Sequence, residues 1–492
     1  MTEVELKLSL PVQPAASLLR QLARLPMLAG CGRRRLQLHN IYYDTPEHHL
    51  LQQGVVLRVR RVGDGASAFW LQTLKTSDGQ ASALTRRGEW ESRLDKPELS
   101  AALLAETPWD RIDPQGSLFT QLQPCFQTRF TRTCWTLQPA DGGEVELALE
   151  QGRIVAGSRR EPICELELEL KTGTASGLFD IALQVAQAVP VIPCGASKSE
   201  RGYALAGATP AGRPAVHGAP ALEALARTAL LAAWHQFTRE LIAMRSDDDP
   251  ERVHQARIAW RRFRSARRLF RPIVDAPFPD VRAALAPLLL LLGQVRDLDV
   301  AHTQSLPRLA DAYIGGDPRR ASAWSRMLGQ MATSAKGARA AMRREIDQPG
   351  AGHALTRVTQ WLETLALDGA GANAARSAAD ARAWALRRLR RLRRALRDAR
   401  SGPDTEARAH QMRILAKRLR YGVDMLQPVL PAPRARRWHQ LAIRLQRDIG
   451  DQRDSIQAAV LVRGLRKHPQ IAEFLRGHAL AVAAAARHRQ PA

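Results

Sequence analysis

Charged side chains recur at every second position in several short segments of the first 205 residues. Glu3, Glu5 and Lys7 form one such set near the N-terminus. Because successive side chains of a β-strand point to opposite faces, the members of each set share one face of a predicted strand. The other sets are Arg58 with Arg60, Arg87 with Glu89 and Glu91, Glu144 with Glu146, and Glu165 with Glu167 and Glu169. The pattern predicts strands with one apolar face and one charged face.

Two arrangements can accommodate so many charged strand faces. A simple sandwich would turn all of them to solvent, whereas a closed barrel would gather them in its lumen. Crowded carboxylates need a cation, and their hard oxygen atoms suit Mg²⁺ or Mn²⁺. Arginine and lysine in the same space need an anion, for which phosphate is the natural partner. The barrel arrangement therefore favours a metal-bound chain of phosphates as its ligand.

A second set of basic residues lies in the C-terminal part of the chain and occurs twice. Spacings of three, four and three residues place each copy on one face of a predicted helix. The copies are His254, Arg257, Arg261 and Arg264, and then His410, Arg413, Lys417 and Arg420. A second repeated block, 293–297 and 450–454, supplies Arg296 and Arg453. A solvated helix face gives no reason for such a residue-by-residue repeat, so we expect a duplicated helical bundle with an organised basic surface.

The charges are divided unequally along the chain. Residues 1–205 contain 23 Lys and Arg and 23 Asp and Glu, whereas the remainder contains 50 basic and 25 acidic residues. The whole excess of +25 therefore lies in the C-terminal part, which indicates a polyanionic partner for that part. Nucleic acid, an anionic membrane and polyphosphate all qualify. The basic stripes contain few aromatic residues on which bases could stack, so nucleic acid is possible but not favoured.

Composition and periodicity predict two domains. Residues 1–206 are strand-rich, with short helices near 14–25 and 175–188. Residues 207–220 are small and proline-rich, which is typical of a linker, and residues 221–492 have helical periodicity throughout. The N-terminus lacks the features of a signal peptide, and no apolar run approaches the roughly 18 residues of a membrane span. We therefore expect a cytoplasmic protein without a membrane partner.

The N-terminal half resembles a known family. Its opening Glu3-x-Glu5-x-Lys7 is similar to the hallmark of the CYTH superfamily, the triphosphate tunnel metalloenzymes. Eight further pieces follow in the order that the family shows: 42–45, 57–60, Lys75, 87–89, Arg132, 146–152, 165–169 and 197–203. The resemblance covers about residues 1–206 and implies an antiparallel β-barrel with flanking helices whose lumen is a closed tunnel.

The CYTH resemblance also implies roles for individual residues. The triphosphate would be held by Lys7, Arg58, Arg60, Lys75, Arg87, Arg132, Lys198 and Arg201. One or two Mg²⁺ or Mn²⁺ ions would be bound by Glu3, Glu5, Glu167 and Glu169. Glu5, Lys7 and Glu150 are the candidate catalytic residues, with Glu146 close by. Spacing does not decide which carboxylate binds metal and which positions the attacking water.

The helical half resembles the CHAD domain, an α-helical module that is often fused to CYTH. Both copies of the His-x-x-Arg-x-x-x-Arg/Lys-x-x-Arg motif, with Arg296 and Arg453 downstream, carry the resemblance, which covers about residues 221–480. It implies paired helical bundles whose basic faces bind inorganic polyphosphate. A rigid row of arginines suits such a chain, because binding releases its counterions.

The two resemblances together lead to one expected function and several alternatives. We expect an inorganic triphosphatase, a hydrolase of phosphoanhydride bonds, that carries a polyphosphate-binding domain and associates with polyphosphate granules. The alternatives are a polyphosphate-targeting protein with weak or no catalysis, and another conversion of a triphosphate, namely an adenylate cyclase or a thiamine triphosphatase. The sequence does not indicate an oligomeric state.

Overall fold

The computed structural model describes residues 2–77, 82–208, 221–274, 277–367, 378–401, 406–465 and 467–488. The chain forms two compact units. The first consists of Met1–Ala215 together with Asp347–Glu363, and the second of Val216–Ile346 and Thr364–Ala492. The predicted linker falls almost entirely outside the described residues, so its bounds stay a prediction. That a segment near residue 350 belongs to the first unit was not expected from the sequence.

Eight antiparallel strands of the first unit close into a barrel. They follow the order β5-β4-β3-β2-β6-β7-β8-β1, and β1 pairs with β5 to complete the circle. The strands are β1 (Thr2–Ser9), β2 (Arg33–Asp44), β3 (Val55–Val62), β4 (Phe69–Ser77), β5 (Leu84–Leu94), β6 (Gln123–Leu137), β7 (Glu144–Ala156) and β8 (Arg159–Thr172). A two-residue strand, β9 (Ile192–Pro193), also pairs with β1. The predicted antiparallel barrel is confirmed.

The apolar faces of the strands lie on the outside of one barrel wall. Leu6 and Leu8 of β1 and Leu168 of β8 are fully buried there, beneath two helices. These helices are α1 (Ala15–Leu22) and α4 (Ala175–Ala188), which contribute Leu18, Leu22, Leu178 and Val185 to the same core. Because burial of these leucines holds the helices outside the wall, the alternate, charged side chains are left to face the lumen.

Three more short helices surround the barrel: α2 (His49–Gln52), α3 (Trp109–Ile112) and α5 (Lys198–Ala206). Ser197 and Glu200 form a capping box that fixes the start of α5. A side chain at Gly202 would meet the Phe126 ring at 2.1 Å, so only glycine lets α5 approach β6 this closely. These features anchor the helix that carries Lys198.

Asp44, at the end of β2, connects α5 to α2. One of its carboxylate oxygens accepts hydrogen bonds from the backbone N–H groups of Thr45 and Leu50, and the other from Leu51 and from the hydroxyl of Tyr203. Asp44 is fully buried. The carboxylate therefore binds the start of α2 and the C-terminal part of α5 at once.

The second unit is helical throughout its described residues, as the sequence predicts. Its helices are α6 (Leu222–Ala243), α7 (Pro250–Phe270), α8 (Arg282–Val300), α9 (Ala310–Ile314), α10 (Pro318–Ile346), α12 (Ala378–Arg400), α13 (Glu406–Leu426), α14 (Ala432–Gly464) and α15 (Pro469–His488). The series α6, α7 and α8 recurs as α12, α13 and α14, and the corresponding helices α7 and α13 contact each other. No helix among the described residues is both long and apolar enough to cross a membrane.

Helix α11 (Pro349–Leu367) packs on the barrel instead, through residues 349–363. A side chain at Gly352 would meet the carbonyl oxygen of Val191 at 2.5 Å, so the two backbones are in close contact. At the other end of this segment, the hydroxyl of Ser82 donates a hydrogen bond to Glu363. Arg86 of β5 lies 3.9 Å from the same carboxylate. Both Ser82 and Glu363 are buried, so this contact is an internal part of the first unit.

Candidate functional site

The barrel encloses a charged cavity of about 820 Å³. Among the described residues, its wall carries nine glutamates and nine lysines or arginines, so the charges balance when all are ionised. The glutamates are residues 3, 5, 89, 91, 106, 146, 150, 167 and 169. The basic residues are Lys7, Arg34, Arg58, Arg60, Lys75, Arg87, Arg132, Lys171 and Lys198. All but one of the residues predicted to hold phosphate therefore line one space.

Strands β1 and β8 bring the predicted carboxylates together. Their register places Glu5 opposite Glu169 and Lys7 opposite Glu167. The Lys7 ammonium lies 2.5 Å from Glu5 Oε1 and 3.8 Å from Glu167 Oε1. Burial alone would raise the pKa of Glu5, as does the nearby Glu167, but Lys7 together with Lys75 and Arg87 overcomes this and holds that pKa at about 2. Glu5 is therefore an ionised carboxylate at any pH near neutrality.

Lys75 of β4, two strands away from β1, contacts Glu3. Its ammonium is 2.7 Å from Glu3 Oε2 and 3.0 Å from Glu89 Oε1. Burial nevertheless raises the pKa of Glu3 above its ordinary value, because Lys75 compensates only in part and two nearby glutamates add repulsion. Arg87, from β5, lies 3.7 Å from Glu5. Glu3 and Glu5 are thus both paired with basic groups of neighbouring strands.

Arg132 is the basic residue with the most carboxylate partners on the β7–β8 side. Its Nη1 atom is 2.9 Å from Glu150 Oε1 and 3.4 Å from Glu167 Oε2. Its Nη2 atom is 2.9 Å from Glu146 Oε1 and 3.7 Å from Glu169 Oε2. Although burial opposes it, these carboxylates raise the pKa of Arg132 well above its ordinary value. One guanidinium therefore contacts four carboxylates.

Lys198 enters the cavity from the first turn of α5. Its ammonium lies 2.8 Å from Glu167 Oε1 and also contacts Glu150 and Glu165. Oxygen atoms of these three glutamates lie within 4.8 Å of one another, as the ligands of one metal ion would. This trio overlaps the predicted metal set only at Glu167. We did not predict a metal-binding role for Glu165 from the sequence, although the alternation of β8 places it on the same face as Glu167.

Arg201 does not line the cavity with the other predicted phosphate ligands. Its Nε atom is 2.6 Å from Glu161, its Nη1 atom is 3.0 Å from Glu165, and its Nη2 atom donates to the carbonyl oxygen of Pro162. These contacts attach α5 to β8. The structure therefore gives Arg201 a place beside the site rather than in its wall.

Arg60 carries a positive charge that the neighbouring acids balance only in part. Burial and the neighbouring Arg58 lower the pKa of Arg60 to about 10, and Arg132 contributes in the same direction. The Nε atom of Arg58 is buried without a hydrogen-bond partner among the described residues. Asn40, a buried residue that the sequence analysis missed, accepts a 2.7 Å hydrogen bond from Arg60. Asn40 lies between Leu38 and Tyr42 on the lumen face of β2, and this place in the strand alternation could have predicted that its side chain points inward.

The first basic stripe lies along α7, next to α8. His254, Arg257 and Arg261 are half-buried, and Arg264 is exposed. A side chain at Gly293 would meet the Arg257 guanidinium at 2.8 Å, so the repeated glycine leaves room for this arginine. Burial lowers the pKa of His254, and Arg296 of α8 lowers it further. The predicted group of His254, the α7 arginines and Arg296 is therefore together in the structure.

The second stripe lies along α13, where His410 is exposed and Arg413 and Lys417 are half-buried. Arg420 donates a 3.3 Å hydrogen bond to Gln446 of α14. Arg453 is within α14, but its side chain lies outside the described part of the structure. Besides burial, Arg268 and Arg264 of α7 lower the pKa of Arg418 on α13. Basic residues of the two repeats are therefore close to each other where α7 contacts α13.

Comparisons with known proteins identify both halves. The CYTH domain family model matches residues 1–203, and the CHAD domain family model matches residues 228–463. The chain carries a CYTH domain followed by a CHAD domain. The barrel and its charged cavity thus belong to the CYTH domain, and both basic stripes belong to the CHAD domain.

A curated relative and two solved structures share one domain each with this chain. An inorganic triphosphatase of Haemophilus influenzae is 34% identical over 207 residues, which are 42% of this chain and 55% of that protein. The CHAD domain from the plant Ricinus communis is 25% identical, with a TM-score of 0.46, over 57% of this chain and 96% of that one. A Hippeastrum protein described as an adenylyl cyclase with a dominant triphosphatase activity is 22% identical, with a TM-score of 0.32, over 42% and 97%. The chain thus spans about half the length of its curated relative.

Proposed function

We propose that the CYTH domain is a metal-dependent inorganic triphosphatase. The observation that carries this proposal is Arg60, a lumen arginine whose pKa is lowered by burial and by the neighbouring Arg58 and Arg132, inside an otherwise charge-balanced lumen. A buried arginine in these surroundings gains most from an anion, and a phosphate oxygen is the partner that guanidinium groups bind best. The triphosphatase activity of the Haemophilus relative supports the same substrate.

Charge balance explains why metal would accompany the substrate. A triphosphate brings several negative charges into a cavity that carries equal numbers of acidic and basic groups. Without added cations, those charges would face the glutamates in a low-dielectric space, which is strongly unfavourable. Mg²⁺ or Mn²⁺ would supply the missing positive charge and polarise the phosphoryl oxygens. The grouped carboxylates offer the hard oxygen ligands that these ions prefer.

The present ion pairs indicate how the residues would rearrange. Lys7 and Lys75 now bind Glu5 and Glu3, and Arg132 binds Glu167 and Glu169. When phosphate enters, these basic groups would turn to its oxygens, and the released carboxylates would become the metal ligands. Glu3, Glu5, Glu167 and Glu169 remain our proposed metal set, with the trio of Glu150, Glu165 and Glu167 as a second location.

Glu150 is the best placed group to accept a proton from the attacking water. It is buried, and burial followed by repulsion from Glu167 raises its pKa above the ordinary value. A raised pKa makes a carboxylate a stronger base, as a proton acceptor near neutral pH requires. Lys198 and Arg132 hold its two oxygens and would fix its orientation. Attack by water at a phosphoryl group would then break the phosphoanhydride bond, with the developing charge stabilised by the arginines.

The CHAD domain, in this proposal, binds inorganic polyphosphate. The support is the duplicated basic stripe, together with the proximity of Arg264 and Arg268 of α7 to Arg418 of α13. Arginines repeated along rigid helices suit a flexible polyanion. Polyphosphate binding would also direct the protein to polyphosphate granules in the cytoplasm.

A substrate panel tests the proposed activity. Phosphate release by the full chain is measured with triphosphate, ATP, thiamine triphosphate and long polyphosphate, each with Mg²⁺, with Mn²⁺ and with a chelator. We expect metal-dependent release with triphosphate as the preferred substrate. Absence of release, with polyphosphate binding retained, would leave the targeting alternative. Cyclic AMP formed from ATP, or preferred turnover of thiamine triphosphate, would establish one of the other CYTH activities instead.

A further inference from the structure

We propose that the outer surface of the barrel holds a second phosphate-chain site, on the side of the wall facing away from the tunnel. Arg61 of β3, His39 of β2, Arg129 of β6 and Arg153 of β7 are consecutive cross-strand neighbours. Because neighbouring strands lie about 4.8 Å apart, this outer row crosses roughly 14 Å of the barrel surface. The row is independent of the tunnel reaction, since it belongs to the opposite strand faces.

Polar side chains continue the site along the strands. Gln37, Thr131 and Gln151 form a second cross-strand row directly beside the first. The Thr131 hydroxyl donates a 3.0 Å hydrogen bond to Gln37. Both rows line one open cavity of about 580 Å³. The site therefore offers a row of cations and, beside it, a row of neutral hydrogen-bonding groups.

The outer row lacks compensating acids among the described residues. Asp64 is the one carboxylate in the described cavity wall. Among the described residues, no carboxylate lies within 4.0 Å, the distance limit of an ion pair, of the guanidinium groups of Arg61, Arg129 and Arg153. Like charges at facing positions of adjacent strands repel each other. Burial lowers the pKa of His39, its hydrogen bond to Gln127 opposes this, and Arg129 and Arg61 lower it further. A bound anion would offset the repulsion among these basic side chains, which no nearby acid in the described cavity wall relieves except Asp64.

The shape and composition of the site favour a chain of phosphates over nucleic acid. Four basic groups in a line suit a linear polyanion whose charge repeats along its length. Besides His39, the described lining contains one aromatic residue, Phe130, and it is buried in the wall. Unpaired bases would therefore find only the His39 imidazole on which to stack, and stacking is the main source of affinity for single strands apart from charge. Inorganic polyphosphate needs no such platform.

His39 provides a local reporter that works in the full chain. The protein is labelled with ¹³C at histidine Cε1, the His39 signal is assigned with the His39→Gln variant, and its titration is followed by NMR. The probe is long-chain inorganic polyphosphate with a chelator present, at physiological ionic strength. Under these conditions charges beyond about 8 Å are largely screened, so a charge shifts His39 appreciably only when it is bound close to that side chain.

We expect polyphosphate to raise the titration midpoint of His39, because a bound anion stabilises the imidazolium. The double variant Arg129→Gln/Arg153→Gln should abolish this response. The exposed pair Arg20→Gln/Arg24→Gln removes the same charge in and just after α1 and should leave the response unchanged. An unmoved His39 signal in the wild-type protein, at polyphosphate concentrations that shift His254, would overturn the proposal. An equal response to single-stranded DNA of matched charge would overturn the assignment to phosphate chains.

Discussion

The hydroxyl of Tyr203 donates a 2.8 Å hydrogen bond to Asp44 Oδ2, although 159 residues separate them. The same carboxylate binds three backbone N–H groups at the end of β2 and the start of α2. Tyr203 belongs to α5, whose first residue is Lys198. The bond therefore connects the position of a lumen lysine to a turn outside the lumen.

Replacing Tyr203 by phenylalanine should destabilise the first unit by about 2 kcal/mol, the usual cost of losing a buried hydrogen bond to a charged group. Urea unfolding of the full chain measures the change. Tyr43→Phe is the matched control, because Tyr43 is only half-buried and makes no such bond among the described residues. If Tyr203→Phe and Tyr43→Phe unfolded at the same urea concentration, the bond to Asp44 would have no role in stability.

Glu5→Gln should reduce metal-dependent turnover at least about a hundredfold, because it removes a proposed metal ligand from the site where charge develops. Phosphate release from triphosphate measures the loss. Polyphosphate binding should be unchanged, since the helical stripes are untouched. Glu144→Gln, on an exposed position of the same barrel, is the control and should retain full activity. Normal turnover by a folded Glu5→Gln protein would contradict the proposed site.

Reversing one charge in each stripe, with Arg257→Glu and Arg413→Glu, should weaken polyphosphate binding by at least about tenfold. Each change removes a phosphate contact and adds repulsion, and the salt dependence of binding should become less steep. Triphosphate turnover should stay the same. The control is Arg282→Glu with Arg319→Glu, which alters net charge equally at exposed positions elsewhere in the unit. Equal weakening by both pairs would mean that total charge, not the stripes, determines binding.

Polyphosphate affinity should rise as the pH falls below about 6.5, the ordinary histidine value. Burial and Arg296, together with Arg261 and Arg257, lower the pKa of His254, while Glu251 raises it in part. The free protein therefore holds His254 neutral at pH 7, and a bound polyanion raises its pKa. Binding then takes up a proton, so acid favours the complex. His254→Gln should flatten this pH dependence in a fluorescence titration, and an unchanged slope would exclude His254 from the interface.

Strand faces could be predicted from the sequence, but the pairing across strands could not. Alternation alone places Glu3, Glu5 and Lys7 on one face, because the period of two is a property of one strand. That Glu5 lies opposite Glu169 depends on register and closure, which one strand does not encode. The same limit explains Arg201. Its neighbours along α5 suggest a lumen position, but only the packed structure reveals that Glu161 and Glu165 bind it outside the cavity wall.

In the helical half, the helices could be predicted from the sequence more readily than the contacts between them. Spacing of three and four residues identifies each stripe, and the repeat identifies the duplication. The proximity of Arg418 to Arg264 and Arg268 arises from packing between α7 and α13, across about 150 residues of chain. No local pattern carries that information. Glu363 is a similar case, because its partner Ser82 is 281 residues away.

The contact between Glu363 and Ser82 has a consequence for how the protein is made. A ribosome would finish the last barrel strand, which ends at Thr172, long before α11 emerges, so the new barrel must wait for about 190 more residues before its own unit is complete at Glu363. During that interval the surface that receives α11, around Val191 and Ser82, is open to chaperones and to other nascent chains. The barrel is therefore completed only after about half of the helical domain has been synthesised.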